Sequence, residues 1–119
     1  MTGLIKHFDP GFLEAKIDTT TTGDNTLVAA VSGQITKVFR IFFIVAGTTN
    51  ITFKDGSTAL TGAIPMVANG SFVLDFNEAA WFTTSANSAF VLNQSGAVQI
   101  SGRVYYATFP ALPAGLPSW

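Results

Sequence analysis

The stretch QITKVFRIFFIVA, residues 34–46, decides the fold. Ile35, Phe39, Ile41, Phe43 and Val45 fall on one alternating set and Val38, Phe42 and Ile44 on the other, so both faces of an extended chain here are apolar. A strand of this kind is covered on both faces. A lone sandwich leaves one face of each sheet to water. The second face of this strand therefore calls for a cover, which loops of its own domain, another subunit or a neighbouring protein could supply. The stretch contains Arg40 and falls far short of the ~20 residues that cross a bilayer as a helix, so it reads as a buried strand and not as a membrane anchor.

Working outward, alternation of period two recurs on both sides. Leu13, Ala15 and Ile17 alternate with Glu14, Lys16 and Asp18, and after the turn-rich run from Thr19 to Asn25 the residues Leu27, Ala29 and Val31 form the inward side of a second strand. Downstream, Ile51 and Phe53 point inward, and Asp55-Gly56 supplies the positive-φ residues of a tight hairpin. Leu60, Ile64 and Met66 continue as short pieces broken by Gly62 and Pro65. Asn69-Gly70 is a second hairpin signal before Phe72, Leu74 and Phe76. A polar loop from Asn77 to Ser88 carries Trp81 and Phe82, Ala89 to Leu92 make another strand, and the last has Val98, Ile100, Val104 and Tyr106 inward with Gly102 as a bulge. No helical stripe interrupts the series. The expectation is an all-β chain, a single jelly-roll-like β-sandwich of about eight short antiparallel strands with extended arms at both ends.

The expected organisation is an N-terminal arm over residues 1–12, a sandwich domain over 13–108 and a Pro-rich C-terminal arm over 109–119. The C-terminal arm interleaves Pro110, Pro113 and Pro117 with Leu112, Leu116 and Trp119. Proline pre-extends the chain and lowers the entropy lost on docking. Phe12, Phe109, Leu112, Leu116 and Trp119 are accordingly the candidate interface residues. Residues 1–12 lack a basic region followed by a long apolar run, so synthesis and folding in the cytoplasm are expected.

Composition narrows the chemistry. The 119 residues suit one core, and charged residues make up 11% against the roughly 25% usual in soluble domains, so much of the surface is neutral and poorly guarded against association. A net charge of −1 with six scattered basic residues does not suit nucleic-acid binding. With no cysteine and only His7, a Cys-ligated zinc site, a histidine pair and a thiolate nucleophile are all excluded within one chain. The carboxylates Asp9, Glu14, Asp18, Asp24, Asp55, Asp75 and Glu78 sit mostly at turns or outward strand positions, and the turns at Asp24-Asn25 and Asp55-Gly56-Ser57 do not repeat the ligand spacing of a calcium loop. Glycosylation-type triplets at Asn50, Asn69 and Asn93 are what a Thr- and Asn-rich chain produces by chance. No catalytic, metal-binding or cofactor-binding residues are assigned. A non-enzymatic structural protein is expected, and the alternative is a glycan-binding module presenting Trp81 and Tyr105.

The segments GDNTLVAAV (23–31), AGTT (46–49), ITFKDGSTALTG (51–62) and ANG (68–70) resemble small β-sandwich proteins encoded among the virion genes of tailed bacteriophages. The likeness covers roughly Leu13 to Ala107 and leaves both arms outside. The resemblance implies a capsid decoration, or cement, protein on the capsid surface of the virion. Such proteins have jelly-roll-like folds, often form homotrimers, and clamp adjacent capsomers by contact with the major capsid protein. It also admits a tail or fibre protein that binds host glycans, and it carries over no catalytic residue.

Overall fold

A computed structural model describes residues 11–111. Ten strands follow in chain order: β1 (Leu13–Thr19), β2 (Gly23–Val28), β3 (Gln34–Val45), β4 (Thr49–Asp55), β5 (Thr58–Ala59), β6 (Ile64–Met66), β7 (Ser71–Leu74), β8 (Phe82–Thr83), β9 (Phe90–Gln94) and β10 (Ile100–Pro110). They form two antiparallel sheets. The first runs β1-β10-β3-β7, with β8 also on β3, and the second runs β2-β9-β4-β5, with β6 also on β4. With the two-residue strands set aside, each sheet has four strands, β1-β10-β3-β7 and β2-β9-β4-β6, and consecutive strands mostly cross from one sheet to the other. That order is the double Greek key of a jelly roll.

The core fills the space between the sheets. Ile17, Val38, Ile41, Phe43, Val45, Ile100 and Val104 come from the first sheet, and Val28, Ile51, Phe53, Met66, Phe90 and Leu92 from the second. Phe53 centres a cluster of rings, with centroids 6.2 Å from Phe43, 5.6 Å from Phe72, 4.9 Å from Phe82 and 5.8 Å from Phe90. Burying each such ring contributes about 2–3 kcal/mol, and tilted or stacked pairs add roughly 0.5–1.5 kcal/mol. The buried Gln94 ties loops to this core. Its Nε2 donates to Thr21 O (3.1 Å) and Val98 O (3.0 Å), and its Oε1 accepts from Thr49 Oγ1 (3.2 Å) and Val98 N (3.4 Å).

Several expectations need correction, and most share one cause. In the β3–β10 ladder Tyr105 opposes Arg40 and Tyr106 opposes Val38, so Phe39 is an extra residue on β3. This bulge changes the parity. The inward set is Thr36, Val38, Ile41, Phe43 and Val45, and Ile35 and Phe39 do not share the inward side of Ile41. A second bulge skips Leu27 between Thr26 and Val28, so Val28 is the buried residue while Ala29 and Val31 are exposed beyond the end of β2.

Gly102, expected to be a bulge, sits in regular register with Ile17 and Phe43. Its role is close approach: a Cβ there would collide with the Phe42 carbonyl oxygen and lie 2.6 Å from Phe43 Cα. Gly56 has positive φ (58°) but Asp55 belongs to β4, so only one of that pair does what the hairpin signal implied. Asn69-Gly70 does form a turn, with Asn69 at φ 63°, yet it carries the chain from β6 in the second sheet to β7 in the first and closes no hairpin. Strand β10 runs on through Phe109, opposite Ile35, and Pro110, opposite Gln34, so the paired chain extends two residues past the boundary drawn at 108. Proline is tolerated there because it ends the strand.

Candidate interface on the outer face of the first sheet

Because side chains alternate, each residue buried between the sheets leaves its neighbours on an outer face. For the first sheet the outward row in register is Tyr105 of β10 beside Arg40 of β3, then Arg103 beside Phe42 and Val73 of β7, then Ser101 beside Ile44 and Ser71. Ile44 is 54% exposed and Val73 58%. Phe76, just past β7, is 51% exposed, and Trp81 is 42% exposed. Phe82 turns into the core, so its neighbour Trp81 turns to the outside of the same sheet.

Arg40 organises this face. Its guanidinium carbon lies 4.7 Å from the ring centroid of Phe42, 5.2 Å from Tyr105 and 5.8 Å from Phe76, and its Nε donates to Asp75 Oδ1 at 2.9 Å. A planar cation can satisfy its donor on a carboxylate while its faces cover aromatic rings. Asp75 also accepts from Phe76 N (2.8 Å) through the same oxygen, and its backbone carbonyl accepts from Trp81 Nε1 (2.7 Å). The Phe76 amide first, and then the Arg40 guanidinium, hold the Asp75 carboxyl below its ordinary pKa. The ring of Phe76 meets Tyr105 edge-on at 5.5 Å. Phe12 completes the cluster, 5.0 Å from Phe39 and stacked on Phe76 at 5.2 Å. At the margin Arg103 Nη1 donates to Glu14 Oε1 (2.6 Å), so both arginines of the face are paired within it.

The second sheet presents the opposite chemistry. Asp24 of β2, Asn93 of β9 and Thr52 of β4 lie side by side. Lys54 Nζ donates to both Asp24 oxygens (3.0 and 3.1 Å), and Asn93 Nδ2 donates to Asp24 Oδ1 (2.7 Å). The Asn93 amide and then Lys54 lower the Asp24 pKa. At the end of β4, Asp55 Oδ2 accepts from Ser85 N (2.9 Å) and Ser85 Oγ (2.7 Å), anchoring the loop before β9. Burial pushes its pKa up, but the Ser88 and Ser85 hydrogen bonds outweigh burial and leave it lowered. A depressed carboxylate pKa favours a fixed anion and not a general acid. Among the described residues no three His, Cys, Asp or Glu side chains are grouped closely enough to hold a metal ion.

Of the candidate residues, Phe12, Trp81 and Tyr105 are brought together on the aromatic face, linked through Phe76, Arg40 and Asp75. Phe109 lies in β10 at the far end of the same sheet and is 40% exposed. Leu112, Leu116 and Trp119 fall outside the described residues. The sequence reading did not single out Arg40, Asp75, Phe76 or Val73. The second apolar set of residues 34–46 was the available signal, since Phe42 and Ile44 belong to this face.

The sequence matches no protein-family model and no curated protein. Among solved structures the chain is similar to the coat protein of Tobacco streak virus, at 14% identity over 91% of this chain and 93% of that one, with a TM-score of 0.39. The jelly-roll assignment rests on the strand order given above.

Proposed function

We propose that this chain is a non-enzymatic structural protein of a virus particle, specifically a capsid decoration protein of a tailed bacteriophage head. In this reading it is made in the host cytoplasm, forms a homotrimer, and binds between capsomers on the major capsid protein. The observation that carries the reading is the exposed outer face of the first sheet. Exposed apolar surface on a soluble monomer rarely exceeds a few hundred Å², and a larger patch marks an interaction site. Partial exposure of Ile44, Val73, Phe76 and Trp81 in one contiguous zone amounts to roughly 400 Å², about half of what one partner contributes to a standard interface. The arginines within it are already paired to Asp75 and Glu14, so a partner can cover it without stranding a charge. Sequence resemblance and low charge support the same reading, and residues 112–119, with Leu112, Leu116 and Trp119, serve as an arm to a neighbouring subunit.

The test is co-sedimentation with heads assembled from the major capsid protein of the same virus. Wild type should sediment with the heads, and Ile44→Asp/Val73→Asp, still folded, should stay at the top of the gradient. Equal retention of both, or no retention of wild type, would overturn the proposal. A second reading is favoured by one observation, that Trp81 and Tyr105 share a face with the polar groups of Arg40 and Asp75, as a host-glycan site requires. Binding on a glycan array that Trp81→Ala abolishes would support that reading instead.

A further inference from the structure

The path of the chain at its first described residues points to what occupies part of the aromatic face. Strand β1 is the sheet edge and pairs only with β10, so β10 separates it from β3. Neighbouring strands lie about 4.8 Å apart, which puts β3 roughly 10 Å from β1. Yet the Phe12 ring, one residue before β1, lies 5.0 Å from Phe39 of β3 and 5.2 Å from Phe76 beyond β7. The chain therefore does not enter β1 along the strand direction. It comes in across the outer face, and Gly11, at φ +74°, occupies a left-handed conformation at the point where it turns into the strand.

We propose that residues 1–10 of the same chain continue across this face and cover Trp81, Phe76 and Val73, guarding it until a partner displaces them. The sequence upstream of Phe12 has the needed chemistry, with Phe8 four residues away and Leu4 and Ile5 beyond it. Four extended residues span about 14 Å, enough to carry Phe8 from Phe12 over the strands beside it. A segment tethered this close acts at a local concentration in the millimolar range, so it outcompetes the same segment of another copy in dilute solution. The inference builds on the proposed interface by adding its regulation, and it concerns the free protein, so it can fail while particle binding stands.

The experiment uses the full chain with Trp119→Phe, which leaves Trp81 as its only tryptophan. Acrylamide quenching and the emission maximum of Trp81 are compared for this protein, for a form lacking residues 2–10, and for Leu4→Ser/Ile5→Ser/Phe8→Ser, with thermal unfolding confirming that each is folded. The triple variant keeps the test open if the deletion does not fold. Both changes should increase quenching and shift emission to the red, and the difference should not depend on protein concentration. A synthetic peptide of residues 1–12 at high concentration should reverse the shift in the deletion form. Unchanged quenching in both altered forms would overturn the proposal, and protection that grows with concentration would assign the cover to a second copy. If the guarding reading holds but the head-binding one fails, these shifts appear while Ile44→Asp/Val73→Asp changes nothing in co-sedimentation.

Discussion

Across the middle of the first sheet the outward row reads Tyr105, Arg40 and then the exposed rings of Phe76 and Trp81, whereas across the second it reads Asp24, Asn93 and Thr52. Both rows arise from the same alternation and back onto the same core. They differ in where their charges go. On the second sheet Lys54 and Asp24 pair over polar neighbours, which water would solvate equally well. On the first, Arg40 is laid over three rings and only 24% of its side chain is exposed, so the cation finishes a mostly apolar surface. One face is built to remain wet and the other to be covered.

The largest expected effect tests whether the frame beneath the aromatic face is rigid. Gly102→Ala places a methyl group against the backbone of Phe42 and Phe43, which cannot move aside as a side chain can, and should cost about 3 kcal/mol or more. A urea titration should show a lower midpoint, and an unchanged midpoint would mean that β10 and β3 separate easily. Next is Gln94→Leu under the second sheet, which strands the Thr21 and Val98 carbonyls and should cost about 2 kcal/mol in the same titration.

The contrast between these sites also shows what could be read from sequence. Period-two counting found Ile17, Ile51, Phe53, Ile100 and Val104, all fully or almost fully buried, because each lies in a strand or half-strand without a bulge. It failed at Phe39 and Leu27, where one extra residue reverses the parity of everything beyond. Turn chemistry located Asn69-Gly70 but not its destination, since a positive φ fixes a local reversal and not the sheet that receives the chain. The apolar second face of residues 34–46 was legible. The Arg40 cluster was not, because Asp75 and Tyr105 reach it only after the Greek-key crossings bring distant strands together.

A smaller effect sharpens the comparison. Ile44→Ser with Val73→Ser should change folding stability by only about 0.5 kcal/mol per site, as both side chains are more than half exposed. Thr52→Ser with Thr26→Ser on the opposite face should change as little. In sedimentation with heads only the first pair should lose binding, and equal loss from both would erase the distinction between the faces.

The smallest effect is electrostatic. Asp24 and Asp75 have pKa values below 3.8 in the folded chain, so their stabilisation is complete above that value and is lost as pH falls through the folded pKa. Asn93→Ala should raise the Asp24 pKa toward 3.8 and move the onset of acid destabilisation to higher pH, by a margin that shrinks in high salt. Carboxyl titration followed by NMR would check it, and an unmoved Asp24 would show that Lys54 alone sets its charge.

Hydroxyl-radical footprinting of the free and the head-bound protein tests the account most directly, because aromatic side chains report their own exposure. Oxidation of Phe76 and Trp81 should fall sharply on assembly while Leu60, which follows β5 beside the second sheet and is 37% exposed, stays as reactive as before. Protection of Leu60 with Phe76 and Trp81 unchanged would contradict the assignment of the aromatic face as the interface.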